Sequence, residues 1–159
     1  MIKIFIDMDG TIAKFNVRNA INRFATEQKF FSKLLAYKGI ETIDKLARQG
    51  NIYIISASPN ERTDADKREW LNRYLPSLKS ENIIFCRIGE NKAKIIKEKI
   101  NVDINNETFL LDDYTKNLIE WENAGGVGIK RLTSVADNST GKWRGKTLKR
   151  LEQLESVIA

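Results

Sequence analysis

Five short apolar runs recur along the chain, Ile2 to Ile6, Ile52 to Ile55, Ile83 to Cys86, Phe109 to Leu111 and Val127 to Ile129, and each has the length of a strand buried on both faces. Between them the apolar positions take a helical spacing: Ile40, Ile43, Leu46 and Ala47; Trp70, Leu71, Tyr74 and Leu75, stopped by Pro76; Ala93, Ile96 and Ile100; then Leu118, Ile119 and Trp121, stopped by Gly125 and Gly126. Strands alternating with helices predict an α/β fold, a single doubly wound parallel sheet of about five strands flanked by helices. A last helix is expected over roughly Thr147 to Val157, where Leu148, Leu151, Leu154 and Ile158 fall at helical spacing. The stretch Phe15 to Tyr37 breaks the alternation. It carries Phe15, Phe24, Phe30, Phe31 and Tyr37 and reads as a small helical insert, placed to cover whatever lies at the end of the first strand. Phe24 reads better as local core. Residues 1–159 are expected to form one domain, with 15–37 as a cap within it.

Composition changes this picture mainly by exclusion. With 159 residues, 42% hydrophobic and 30% charged, the chain has the material for a core and is not a disordered one. One cysteine, Cys86, permits no internal disulfide and sits inside an apolar run, so it reads as a buried strand residue in a chain suited to a reducing compartment. No apolar stretch approaches the length of a membrane span, and Met1-Ile2-Lys3 lacks a charged leader. A soluble cytoplasmic protein without a membrane partner is expected. There is no histidine, which excludes Ser-His-Asp and Cys-His mechanisms and imidazole metal sites, so acid–base work must fall on Asp, Glu, Lys or Tyr. The net charge of +6 suits nucleic acid or small anions equally. Lys142, Arg144, Lys146, Lys149 and Arg150 concentrate that charge and read first as a solvated helical face.

Candidate chemistry gathers where strands end. Asp7-Met8-Asp9-Gly10-Thr11 follows the first run directly, and ligands of parallel sheets bind beyond the carboxyl ends of the strands. A spacing of two sends both carboxylates to one side if the strand continues, and Gly10 permits a sharp turn after them. Acids this close repel each other and call for a cation, with oxygen ligands favouring Mg2+ over Zn2+. The second run ends at Ser56-Ala57-Ser58-Pro59-Asn60, whose hydroxyls and N–H groups suit phosphate oxygens. The fourth ends at Asp112-Asp113, a second acidic pair at the same edge, which strengthens the inference of a metal. Asn91-Lys92-Ala93-Lys94 opens a helix, with Asn91 as cap and Lys92 in the first turn, where it can neutralise a phosphate or an aspartate.

These four stations, in this order, resemble the haloacid dehalogenase superfamily of aspartate-nucleophile phosphotransferases. Asp7 to Thr11 matches its first motif, Ser56 its second, Lys92 its third with Lys94 as the alternative, and Asp112-Asp113 its fourth. Within that superfamily the chain is similar to the 5′-nucleotidases of the deoxyribonucleotidase type, through Phe15, the Phe30-Phe31 pair, Ser58-Pro59, Trp70 to Pro76 and Leu111-Asp112-Asp113. It departs from the animal enzymes at Thr11, where they tend to carry Val, at Ala57, where they have Thr, and in a much shorter insert, which leaves nucleoside selectivity open.

The resemblance implies a Rossmann-like sheet and a Mg2+-dependent phosphomonoesterase acting on a small-molecule phosphomonoester, a nucleoside monophosphate. It implies Asp7 as nucleophile forming an aspartyl-phosphate and Asp9 as acid and base. Mg2+ would be held by Asp7, the backbone carbonyl of Asp9 and Asp113, with Asp112 behind, the division within that pair being open. Ser56, Ser58 and Lys92 would hold phosphate oxygens, and Phe15, with Phe30 or Phe31, would stack on the base. Two other readings stand beside it. The same chemistry could act on a phosphorylated nucleic-acid end, or the chain could be a non-catalytic nucleic-acid-binding module built on Lys142, Trp143, Arg144, Lys146, Lys149 and Arg150.

Overall fold

The computed structural model of the chain describes residues 1–16, 28–133 and 142–159. Its strands are β1 (Lys3–Ile6), β2 (Ile52–Ser58), β3 (Ile83–Arg87), β4 (Thr108–Asp112), β5 (Val127–Arg131) and β6 (Lys146–Leu148). They form one sheet in the order β3-β2-β1-β4-β5-β6, with every neighbouring pair parallel. The helices are α1 (Ile40–Ala47), α2 (Glu61–Tyr74), α3 (Lys92–Ile100), α4 (Thr115–Asn123) and α5 (Leu154–Ile158).

Alternation along β1 divides the core between the two faces. Ile4 and Ile6 join Ile43 and Leu46 of α1, Trp70 and Leu71 of α2, and Leu151 and Leu154 near the C-terminus. Phe5, on the opposite face, joins Ile95 and Ile96 of α3, Leu118 and Trp121 of α4, and Trp143. Helices thus cover both faces, and strands buried on both sides explain why the five runs are apolar almost throughout, Lys3 at the half-buried start of β1 being the charged exception. The chain builds outward from β1 through β2 to β3, then returns to place β4 on the other side of β1. That reversal makes the carboxyl ends of β1 and β4 the topological switch point, the place where open α/β sheets bind their ligands.

The sheet has six strands, one more than expected, and the extra one replaces the start of the expected last helix. Lys146–Leu148 pairs with the otherwise open edge of β5, a short turn of 3-10 helix follows at Leu151–Gln153, and α-helix is confined to Leu154–Ile158. Leu148, Leu151 and Leu154 are all buried, so their spacing fits a strand, turn and helix as well as it fits one helix face. Unpaired backbone groups along β5 decide between them. Lys142, Arg144, Lys146, Lys149 and Arg150 are exposed, but on an edge strand and its flanks rather than on a helix, where charge discourages pairing with another chain.

Of the expected insert, Phe15, Asn16 and residues 28–37 are described; the remainder, Phe24 included, lies outside the described residues. The described part contains a 3-10 turn at Phe31–Lys33. It is tied to α2: Asp66 accepts from the N–H groups of Phe31 at 2.7 Å and Ser32 at 3.1 Å, Trp70 Nε1 donates to Leu34 O at 2.8 Å, and Arg73 donates to Ser32 O at 2.8 Å. Cys86 is buried in β3. Among the described residues no helix is long and apolar enough to cross a membrane.

Candidate active site

The ladder of β1 continues one step past its end, where Asp7 N donates to Leu111 O at 2.9 Å, so Asp7 is delivered beside the end of β4. The chain then folds back tightly, with the N–H groups of Thr11, Ile12 and Ala13 converging on Met8 O at 3.0–3.2 Å. Gly10 takes φ +78°, and a Cβ there would collide with the Asp113 carboxylate. Glycine therefore serves both the left-handed backbone and the close approach of Asp113. Thr11 joins the two sides: its hydroxyl donates to Asp7 Oδ2 at 3.2 Å and accepts from Asp113 N at 3.2 Å.

Asp7, Asp112 and Asp113 each bring one carboxylate oxygen within 4.8 Å of the others. Lys92, buried in the first turn of α3, donates to Asp7 Oδ1 at 2.6 Å and Asp112 Oδ2 at 2.7 Å. Lys94 is exposed and pairs with Glu98, so of the two lysines at the start of α3 it is Lys92 that meets these carboxylates. Asp112 is fully engaged, because its Oδ1 accepts from Tyr114 N at 2.8 Å and its Oδ2 also accepts from Asn117 Nδ2 at 2.9 Å. Among the described residues the Asp113 carboxylate has no comparable cover; its contact with the Thr11 hydroxyl is long, at 3.5 Å. Burial pushes the Asp7 carboxyl up to about 7, with Lys92 opposing and Asp112 and Asp9 adding to the rise. Burial, then Asp7 and Asp112, push Asp113 up to about 8. Burial also pulls Lys92 down, but Asp112 and Asp7 reverse this and hold its ammonium well above the usual range. Two buried carboxylates and the half-buried Asp113 share one paired ammonium among the described residues, which leaves a deficit of positive charge.

Asp9 is separated from that cluster and faces a lysine that sequence reasoning missed. Lys67 of α2 is wholly buried; its Nζ pairs with Asp9 Oδ2 and donates to Ser56 Oγ at 3.0 Å and Ala57 O at 2.7 Å. The other oxygen, Asp9 Oδ1, is buried without a hydrogen-bond partner among the described residues. Burial raises the Asp9 carboxyl above its usual value against the pull of Lys67. A signal for Lys67 existed: Thr63, Lys67, Trp70 and Leu71 form the buried stripe of α2, so a lysine shares a face with Trp70.

Ser56 and Ser58 both lie buried at the end of β2, but in different company. Ser58 Oγ donates to Asp64 and accepts from Arg87 Nη1 at 2.7 Å, while Arg87 holds Asp64 in a bidentate pair at 2.9 and 2.7 Å. Arg87 and Asp64 also escaped the sequence reading. The aromatic residues do meet. Phe15 stacks on Phe31 with centroids 5.9 Å apart, Phe30 stands edge-on to Phe31 at 5.2 Å, and the Lys67 ammonium lies 4.6 Å from the Phe31 ring centroid. The aromatic cluster therefore adjoins the Asp9–Lys67 pair.

Residues 7–154 match the family model described as 5′ nucleotidase, deoxy (pyrimidine), cytosolic type C protein. The chain belongs to this family. As a member of the cytosolic type C nucleotidases it is a hydrolase of phosphomonoesters, and the match includes every residue of the site above. No curated protein matches this nucleotidase-family chain in sequence. Its fold is that of haloacid dehalogenase superfamily phosphatases, as the motif order suggested. A D,D-heptose 1,7-bisphosphate phosphatase from B. bronchiseptica, solved with magnesium and phosphate, superposes with a TM-score of 0.72 at 15% identity, over 98% of this chain and 97% of that one. The corresponding phosphatase from Burkholderia thailandensis gives 0.66 at 14% identity, covering 97% and 96%. A superfamily hydrolase from Ehrlichia chaffeensis gives 0.65 at 13%, covering 98% and 95%. At such identities the likeness concerns the fold.

Proposed function

We propose that this chain is a Mg2+-dependent 5′-nucleotidase that releases phosphate from ribo- or deoxyribonucleoside monophosphates through an aspartyl-phosphate on Asp7. The observation that carries the reading is the gathering of the Asp7, Asp112 and Asp113 carboxylates at the switch point of the sheet, with Lys92 pairing with the first two. An all-oxygen donor set short of positive charge fits Mg2+. Asp7, Asp113 and the backbone carbonyl of Asp9 would hold the ion. Asp112, whose oxygens are already taken by Tyr114, Lys92 and Asn117, would support them from behind. Bound there, Mg2+ supplies a Lewis acid that offsets charge on the phosphoryl oxygens.

A carboxylate oxygen of Asp7 attacks phosphorus, and the bond to the nucleoside oxygen breaks. Asp9 gives its proton to that leaving oxygen. Asp9 then takes a proton from water as the water attacks the phosphoryl group, and the bond to Asp7 breaks, restoring both carboxyls. Burial raises the Asp9 carboxyl above its usual value, which favours the protonated form that the first step calls for. Ser56 and Lys92 act as fixed donors to the phosphoryl oxygens. Ser58 has a smaller part, its hydroxyl being shared between Asp64 and Arg87. Phe15 is the least buried ring of its cluster and is the one assigned to stack on the base, with Phe30 and Phe31 behind it. Residues 15–37 act as a small cap on the single domain 1–159, and a cytoplasmic setting accords with the family description and the lone thiol.

The test is phosphate release from a panel of nucleoside monophosphates, sugar phosphates and an end-phosphorylated oligonucleotide, with Mg2+ and with chelator. Mononucleotides should be turned over best and chelator should abolish the activity; no release from any mononucleotide would refute the reading. In the same panel, Phe15→Ala should lose roughly 1–3 kcal/mol of transition-state stabilisation on nucleotides and far less on a small aryl phosphate. Equal losses on both would remove Phe15 from base binding. The oligonucleotide arm addresses the second reading, favoured by one contact: Arg131 donates to Thr11 O at 2.9 Å and also to Lys149 O, which brings the basic segment beside the catalytic loop.

The cation also links stability to pH. Asp7 and Asp113 have folded pKa values of about 7 and about 8, above the ordinary 3.8, so the folded chain retains protons that the unfolded chain has released. Unfolding then releases protons, and metal-free stability falls as pH rises from about 4 to about 8. Mg2+ should raise Tm more at about pH 8 than at about pH 5. An equal Mg2+ effect at both values would place the ion elsewhere.

A further inference from the structure

Lys130, one residue before the end of β5, stands in register with Asp112 of β4 and is wholly buried. Its Nζ donates to Asp113 O at 2.6 Å and to Thr115 Oγ1 at 2.8 Å, and among the described residues it makes no ion pair. Enclosing an ammonium with neutral acceptors carries a desolvation cost that a methionine of similar length does not. Filling space therefore does not account for a lysine here. What its charge reaches is the backbone that carries Asp113.

That backbone is gripped from both sides. Asp113 N donates to the Thr11 hydroxyl at 3.2 Å, from the loop after β1, and Asp113 O accepts from Lys130, from the end of β5. Thr115, the other acceptor of Lys130, is the first residue of α4, so one side chain spans the turn between the end of β4 and that helix. The Asp113 carboxylate lies between these grips, in the space that Gly10 leaves for it, facing the Asp7 and Asp112 oxygens. We infer that Lys130 is a positioning residue that holds the Asp112–Asp113 turn so that the Asp113 carboxylate is presented to a divalent cation. This rests on the Mg2+ reading above. Lys130 touches neither substrate nor ion, and its effect passes through the Asp113 peptide.

The sign of the effect separates positioning from mere proximity of charge. A nearby ammonium repels Mg2+, so deleting a bystander charge should tighten binding. Deleting a positioning residue should weaken it. The experiment is calorimetric titration of Mg2+ into the full-length, chelator-treated protein, with Tm recorded for each variant. Lys130→Met is expected to bind Mg2+ about 10-fold or more weakly, while its phosphate release recovers toward the wild-type rate at saturating Mg2+. Lys130→Gln, which keeps an N–H donor without the charge, should fall between the two, and it decides the matter if the methionine variant does not fold. Wild-type or tighter Mg2+ affinity in the folded variant overturns the role of Lys130. A wild-type protein that binds no Mg2+ overturns the metal reading itself, and this inference with it.

Discussion

Asp7→Asn should abolish phosphate release, by a factor on the order of 10^4 or more, while leaving the chain folded. The amide keeps the size of the side chain and can meet Lys92 through its oxygen and the Thr11 hydroxyl through its N–H group, but it cannot form the aspartyl-phosphate, and its acidic neighbours are otherwise engaged. Asp9 is held by Lys67 in a separate environment, Asp112 has both oxygens occupied, and the Asp113 carboxylate is the one assigned to the cation. Stability should hold or rise, because burial makes the ionised form of Asp7 unfavourable in the metal-free chain. Phosphate release from the preferred mononucleotide, with Tm measured in parallel, checks both halves. Full activity in the asparagine variant would remove Asp7 as nucleophile. A large loss of Tm would mean that its role is structural.

Lys92→Met has the second large effect, and it falls on the fold as well as on the chemistry. Lys92 is the ammonium that joins Asp7 to Asp112, and all three groups are buried. Removing one member of a buried ionic set leaves uncompensated charge and costs about 3–5 kcal/mol in comparable cases. The loss should shrink at about pH 5, where Asp7, pushed up to about 7, takes up a proton, and Mg2+ should recover part of it. Chemical denaturation at two pH values, with and without Mg2+, measures this. Lys94→Met, two residues along the same helix but exposed, should stay within about 0.5 kcal/mol of wild type. Equal effects of the two substitutions would show that the buried cluster does not depend on Lys92.

Much of the site was legible because it lies at strand ends. Asp7 and Asp112 follow or end continuous apolar runs, and parallel strands bring all their carboxyl ends to one edge, so marking the runs marks the site. Lys92 could be placed because Asn91 caps α3, accepting from Lys94 N at 3.1 Å. Lys67, Arg87 and Lys130 were not legible in this way. A lysine or arginine in sequence is ordinarily solvated, and only the approach of another element turns it inward. Lys67 reaches Asp9 from 58 positions away in the chain. The last strand was missed for a related reason, since Leu148, Leu151 and Leu154 are equally compatible with a helix until the open edge of β5 is known.

By itself the sequence determined the α/β alternation, the four stations of acidic, hydroxyl and lysine residues, their common edge, and membership of the nucleotidase family. These follow from local patterns: the length of apolar runs, the position of glycine after a strand, a cap before a helix. The tertiary structure alone decided which lysine serves which carboxylate, that Asp112 is fully hydrogen-bonded while the Asp113 carboxylate is left open among the described residues, and that the Asp9 carboxylate belongs with Lys67 rather than with the Asp7, Asp112 and Asp113 carboxylates. The physical reason is that ionic pairing and desolvation depend on distance and burial between elements remote in the chain, and no local pattern carries that information.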